Sequence, residues 1–168
     1  MSEEAEKIVR TIYKKDDLLM VILRGHLLIE ETVDEIIYSY LPKPEYFKKT
    51  HLTFNSKVLI ARSMCWEKSE SEIWDLILRF NQLRNDFAHK LTSVEREKKI
   101  GELISLYDQS IEEDNETLTY AMDQNLCFVI AYILGFLRHF RDDVKSSMKF
   151  VNRFLKTKDA IIREFQKK

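Results

Sequence analysis

Glycine is scarce in this chain, with three in 168 residues, and proline scarcer still, with two. Sandwiches, barrels and other folds that need many tight turns draw on both, so their shortage speaks against that whole group. Cysteine is nearly absent as well. Cys65 and Cys127 stand far apart and outside any CxxC pair, which excludes a disulfide framework and the usual zinc spacing and fits a reducing compartment. The longest uninterrupted apolar run, "LCFVIAYILGFL" at 126–137, is too short to span a bilayer. The first residues, "MSEEAEKIVR", are acidic and polar, unlike a secretory signal. The expectation is a cytoplasmic protein with no membrane partner.

What the chain does have is 45% hydrophobic and 33% charged residues, a balance typical of soluble helical proteins. Its length suits one domain with a core that needs no staples. Apolar residues recur at helical spacing, so the expected fold is all-α: a single-domain, up-and-down-type bundle of about five to seven helices over residues 1–168. A short helix is expected at 3–14, then a long one capped by Asp16 or Asp17 and running to about Leu41, where Pro42 and Pro44 stop it. A short helix near "NSKVLIARSM" takes Asn55 or Ser56 as cap. The next, "ESEIWDLILRFNQLRNDFAHKL", starts at Ser69 or Ser71, and "SVEREKKIGELISLYDQSI" opens on an imperfect capping box from Ser93 to Arg96 and Glu97. Residues 112–116, "EEDNE", read as a loop. A helix from Thr117 to about Arg141 is apolar nearly all round at its centre, which suits the middle of the bundle or a subunit interface. A separate amphipathic helix is expected at about 146–166, bearing Phe150, Phe154, Ile161, Ile162 and Phe165.

Charge is near balance overall but uneven. Residues 138–168 carry ten Lys and Arg against four Asp and Glu, a balance of +6 that leaves −7 for residues 1–137. Such a basic last helix suits nucleic acid or an acidic partner, and equally a solvated surface.

Stepping 100° per residue puts polar groups on two apolar stripes. In the first long helix Leu19, Ile22, Leu23, Ile29, Val33, Ile37 and Tyr40 form the stripe, and His26 and Glu30 fall inside it, one turn apart. Gly25 beside them would let another backbone approach closely. In the helix after Ser71 the stripe is Ile73, Leu76, Ile77, Phe80, Leu83 and Phe87, with Arg84 near its centre. A buried arginine needs a partner, and Glu30, with His26 alongside, is the expected one. Asn81, Asn85 and His89, spaced by four, form a polar edge of the same helix. Two roles suit this set: a brace that fixes helix register, or a small phosphate-handling site. No glycine-rich phosphate loop, HExxH, nucleophile elbow or helix-turn-helix pattern competes with it, and no metal or cofactor is implied.

The segment Arg84-Asn85-Asp86-Phe87-Ala88-His89 resembles the RxxxxH motif of the HEPN superfamily of small helical domains, in which a polar residue such as Asn85 commonly follows the arginine. That resemblance implies a motif at the end of a core helix, a homodimer that brings two motifs together, and, in many members, metal-independent endoribonuclease activity in toxin–antitoxin or antiviral systems. Over about residues 18–91, "RGHLLIEETVDEII", "FNSKVLIARSM" and "FNQLRNDFAHKL" are also similar in order to proteins related to the mannitol operon repressor, which implies an all-helical regulator. Under the nuclease expectation Arg84 binds phosphate, His89 is the acid or base, Asn85 orients the phosphate or the imidazole, and Glu30, His26 and Asn81 support. RNA is then the partner. Under the regulatory expectation the same residues are a brace, the apolar 126–137 helix associates with a protein partner or cognate antitoxin, and no chemistry occurs. A relative that holds a phosphate without cleaving it would use Arg84 in the same way.

Overall fold

The computed structural model describes residues 18–65, 71–88, 92–110 and 122–165. Among them are six helices and no strand: α1 Leu18–Tyr40, α2 Pro44–Phe47, α3 Phe54–Ser63, α4 Ser71–Ala88, α5 Ser93–Ser110 and α6 Met122–Phe165. The all-α bundle expected from the sequence is the fold. The helix expected at 3–14, the caps Asp16 and Asp17, the loop at 112–116 and His89 lie outside the described residues.

Local chemistry sets the boundaries. α1 stops at Tyr40, two residues before Pro42, and Pro44 then opens α2 at a position where its missing N–H costs nothing. α3 is capped by Thr53, one hydroxyl earlier than expected: its Oγ1 accepts from the Ser56 N–H at 3.2 Å. The same shift occurs at α5. There Thr92, not Ser93, makes a full capping box with Glu95, whose carboxylate accepts from the Thr92 N–H at 2.9 Å while Thr92 Oγ1 accepts from the Glu95 N–H at 3.3 Å.

The largest correction is α6. Residues expected to form two helices make a single one of 44 residues. Residues 138–147 hold neither glycine nor proline to break it. Arg141 further ties that stretch to α1 by donating to Glu35 at 2.9 Å.

α6 packs chiefly on α1. Gly25 faces Ile130, where a Cβ would come within 2.5 Å of the Ile130 side chain, so the expected close approach is filled by a side chain. Glu35 meets Arg141 further along, and the two helices therefore run parallel. Direction alternates through α3, α4 and α5, since Arg62 pairs with Asp75 and Arg79 with Glu102 while Asn55 meets Asn81 and Asp86 meets Lys99. Leu126, Ile130, Ile133, Leu134 and Leu137 are fully buried, so the apolar 126–137 stretch runs through the middle of the bundle, with Gly135 exposed on its other face. The α4 stripe is buried throughout, from Ile73 to Phe87. On α1 the buried face is broader than expected: it takes in Val21 and Ile36 and leaves Tyr40 exposed.

Candidate functional site

The site is built where α1, α3 and α4 meet. His26 and Glu30 are one turn apart on α1. Asn55 and Lys57 lie in the first turn of α3, and Asn81, Arg84 and Asn85 sit on the last two turns of α4. Sequence periodicity identified the α1 and α4 members. It missed Asn55 and Lys57, because α3 is short and weakly amphipathic and does not declare which face it buries.

His26 is buried, and its ring lies 4.5 Å from that of Phe54. Its Nε2 donates to Asn81 Oδ1 at 2.9 Å, and Asn81 Nδ2 donates to Asn55 Oδ1 at 2.8 Å. This relay ties all three helices and gives the buried His26 and Asn81 the partners they need. Burial holds the His26 pKa below the ordinary 6.5; the bond to Asn81 opposes the shift, and the nearby Arg84 charge adds to it. His26 is thus neutral at neutral pH.

The sign of the linkage follows. As pH falls below about 6.5 the unfolded chain takes up a proton on His26 before the folded one does. The contribution of His26 is therefore complete above pH 6.5, is lost as pH falls toward its lower folded value, and changes no further below that. Melting temperature across pH 5–8 should drop on the acid side in wild type and drop less in His26→Gln. Equal slopes in the two proteins would exclude His26 as the source.

Glu30 does not pair with Arg84, contrary to the sequence expectation. Lys57 reaches between Glu30 and Asp34, one turn apart on α1, and donates to each at 2.9 Å. Partial burial works against the Lys57 charge, but these bonds outweigh it and hold its pKa above the ordinary lysine value. Glu30 still lies 3.9 Å from His26 Nδ1. The acid inside the motif is also engaged elsewhere, since Asp86 accepts from Lys99 of α5. Phe87 is buried, with the Arg96 guanidinium over its ring at 5.4 Å.

Arg84 is left without a counter-charge among the described residues. Among the described residues no carboxylate lies within ion-pair distance of it. Its one hydrogen bond is from Nη1 to Asn85 Oδ1 at 3.1 Å, and its Nε–H is buried with no acceptor. A buried donor without a partner costs about 1–3 kcal/mol, and a cation so placed favours an incoming anion. No group of three metal-type ligands lies together among the described residues, and no helix there is long and apolar enough to cross a membrane.

Comparison of the chain with family models, curated proteins and solved structures finds no match.

Proposed function

We propose that this protein is a HEPN-like, metal-independent endoribonuclease whose phosphate-binding residue is Arg84. The observation that carries the proposal is the unneutralised Arg84 guanidinium beside a neutral histidine. Arginine donates in a planar fork suited to phosphate oxygens, and with no carboxylate on it among the described residues, its charge is available to a pentacoordinate phosphorus.

In the reaction the ribose 2′-oxygen attacks the adjacent phosphorus. The new 2′-O–P bond forms and the P–O5′ bond breaks. A base takes the 2′ proton and an acid supplies one to the leaving 5′-oxygen. His89, five residues after Arg84, is the group whose ordinary pKa suits either role, and the second copy in a homodimer would supply the other. Asn85 orients the guanidinium through its bond to Nη1. His26 and Asn81 hold the wall behind it. Cleavage assayed in EDTA should persist in wild type and disappear in His89→Ala. Activity that depends on added metal, or that is complete in His89→Ala, would contradict this assignment.

The homodimer belongs to the same proposal. Beyond Val144 the apolar seam of α6 continues at alternating steps of four and three through Met148, Val151 and Leu155, a coiled-coil period. Val151 and Leu155 are exposed, as are Phe150 and Phe154 beside them. A seam that runs on from the core past the end of its cover suits a helix of the same period, which a second copy of α6 provides. Val151→Asp with Leu155→Asp should turn a dimer into a monomer by light scattering while the melt stays near wild type. A monomeric wild type at micromolar concentration would refute the dimer.

One observation favours the regulatory alternative: His26, Asn81 and Asn55 satisfy one another and Lys57 satisfies Glu30 and Asp34, as a brace would. Under that alternative the wild type cleaves no RNA and its function is association with a partner.

A further inference from the structure

An open groove of about 410 Å³ runs between α3 and α4, lined in part by Asn55, Gln82 and Asn85, the last of which accepts from Arg84. Each of these amides is already used on its oxygen side. Gln82 Oε1 accepts from Arg79 Nη1 at 3.0 Å, Asn85 Oδ1 accepts from Arg84 Nη1 at 3.1 Å, and Asn55 Oδ1 accepts from Asn81 at 2.8 Å. Arginine has no acceptor, so the orientation of Gln82 and Asn85 is fixed by chemistry, and Asn55 is oriented to accept from Asn81. Three amide NH2 groups are left with no protein acceptor among the described residues. Asp75 on the rim is paired with Arg62 at 2.9 Å, and Arg79 adds a cation held by Glu102.

We infer that this groove binds a backbone phosphate of single-stranded RNA next to the one held by Arg84. The inference rests on the phosphate role proposed for Arg84 and extends it to the neighbouring nucleotide. Three amide donors and the Arg79 cation, with the Asp75 carboxylate neutralised by Arg62, suit a ligand that only accepts, and a phosphodiester presents acceptors only. The Watson–Crick edges of adenine, guanine, cytosine and uracil each mix donors with acceptors (in uracil N3–H stands between O2 and O4) and would leave this set partly unmatched. The groove therefore positions the strand and carries no base preference.

The test uses 2′-O-methyl oligonucleotides of uridine, adenosine and cytidine, which bind but lack the attacking hydroxyl, with affinity read by fluorescence anisotropy. Gln82→Glu and Asn55→Asp exchange a donating NH2 for a carboxylate oxygen while keeping the oxygen that each neighbour already uses. The new charges sit beside Arg79 and in the first turn of α3, where helices accept them, so both variants should melt near wild type. Each should weaken binding about tenfold or more, the cost of a charge-assisted donor reversed into repulsion, and equally for the three sequences. Unchanged affinity in both variants, with binding lost in Arg84→Ala, would overturn the groove and leave Arg84 standing. A loss confined to one base would overturn the phosphate assignment in favour of base reading. No binding by wild type would overturn the Arg84 role itself.

Discussion

Arg84→Ala should reduce RNA cleavage by about 10²–10³-fold, the usual consequence of removing one donor to a transition-state oxyanion, without lowering the melting temperature. The two readouts together separate a phosphate site from a brace. A brace residue is stabilising, and its removal leaves partners unpaired. Among the described residues Arg84 has no carboxylate to abandon, and Asn85, its one hydrogen-bond partner there, is exposed to water. Its buried Nε–H lacks an acceptor, and its charge bears unfavourably on protonated His26. Arg84→Met, which keeps the apolar stem and drops the orphan donor, should therefore raise stability by about 1 kcal/mol, or about 2–4 °C at this chain length. Thermal melts of both variants beside cleavage assays decide the matter. Marked destabilisation of Arg84→Met would place a structural partner on the guanidinium and remove the case for a phosphate.

The second large effect is on the fold. Trp74→Ala should cost about 3–5 kcal/mol by chemical denaturation, the range for deleting a large core aromatic. Trp74 is 1% exposed and meets Phe136 and Phe140 edge-on, at centroid distances of 5.4 and 5.9 Å, so its loss empties the contact between α4 and α6 at that end of the bundle. Its indole N–H has no acceptor among the described residues. Trp74→Phe removes that unpaired donor with part of the volume, and should recover much of the loss. A cost under about 1 kcal/mol for Trp74→Ala would mean that the end of α4 collapses onto α6 without it.

Helical periodicity made α4 legible, because a buried stripe repeats its spacing over five turns and needs no knowledge of neighbours. It also put His26, Glu30, Asn81 and Arg84 on inward or bordering positions. Pairing was a different matter. Periodicity gives a direction within one helix and nothing about which side chain crosses from the next, so Glu30 was matched to Arg84 when Lys57 of α3 holds it. The caps failed for a related reason: Thr53 and Thr92 each stand close to another capping residue, and backbone geometry alone selects between them. The continuity of α6 was hidden by "DDVKSS", whose acidic and hydroxyl residues suit a helix start as well as an exposed helix face. The amide groove was not legible at all. Asn55, Gln82 and Asn85 belong to two helices, and only their bonding leaves three NH2 groups beside one groove.

The measurement that tests the central claim most directly is the chemistry of the ends left on single-stranded RNA incubated with the wild-type protein in EDTA. Attack by the 2′-hydroxyl on a phosphate held by Arg84 predicts fragments bearing 5′-hydroxyl and 2′,3′-cyclic phosphate ends, formed about 10²–10³-fold more slowly in the Arg84→Ala reaction. Intact RNA, or fragments with 5′-phosphate and 3′-hydroxyl ends, would contradict it.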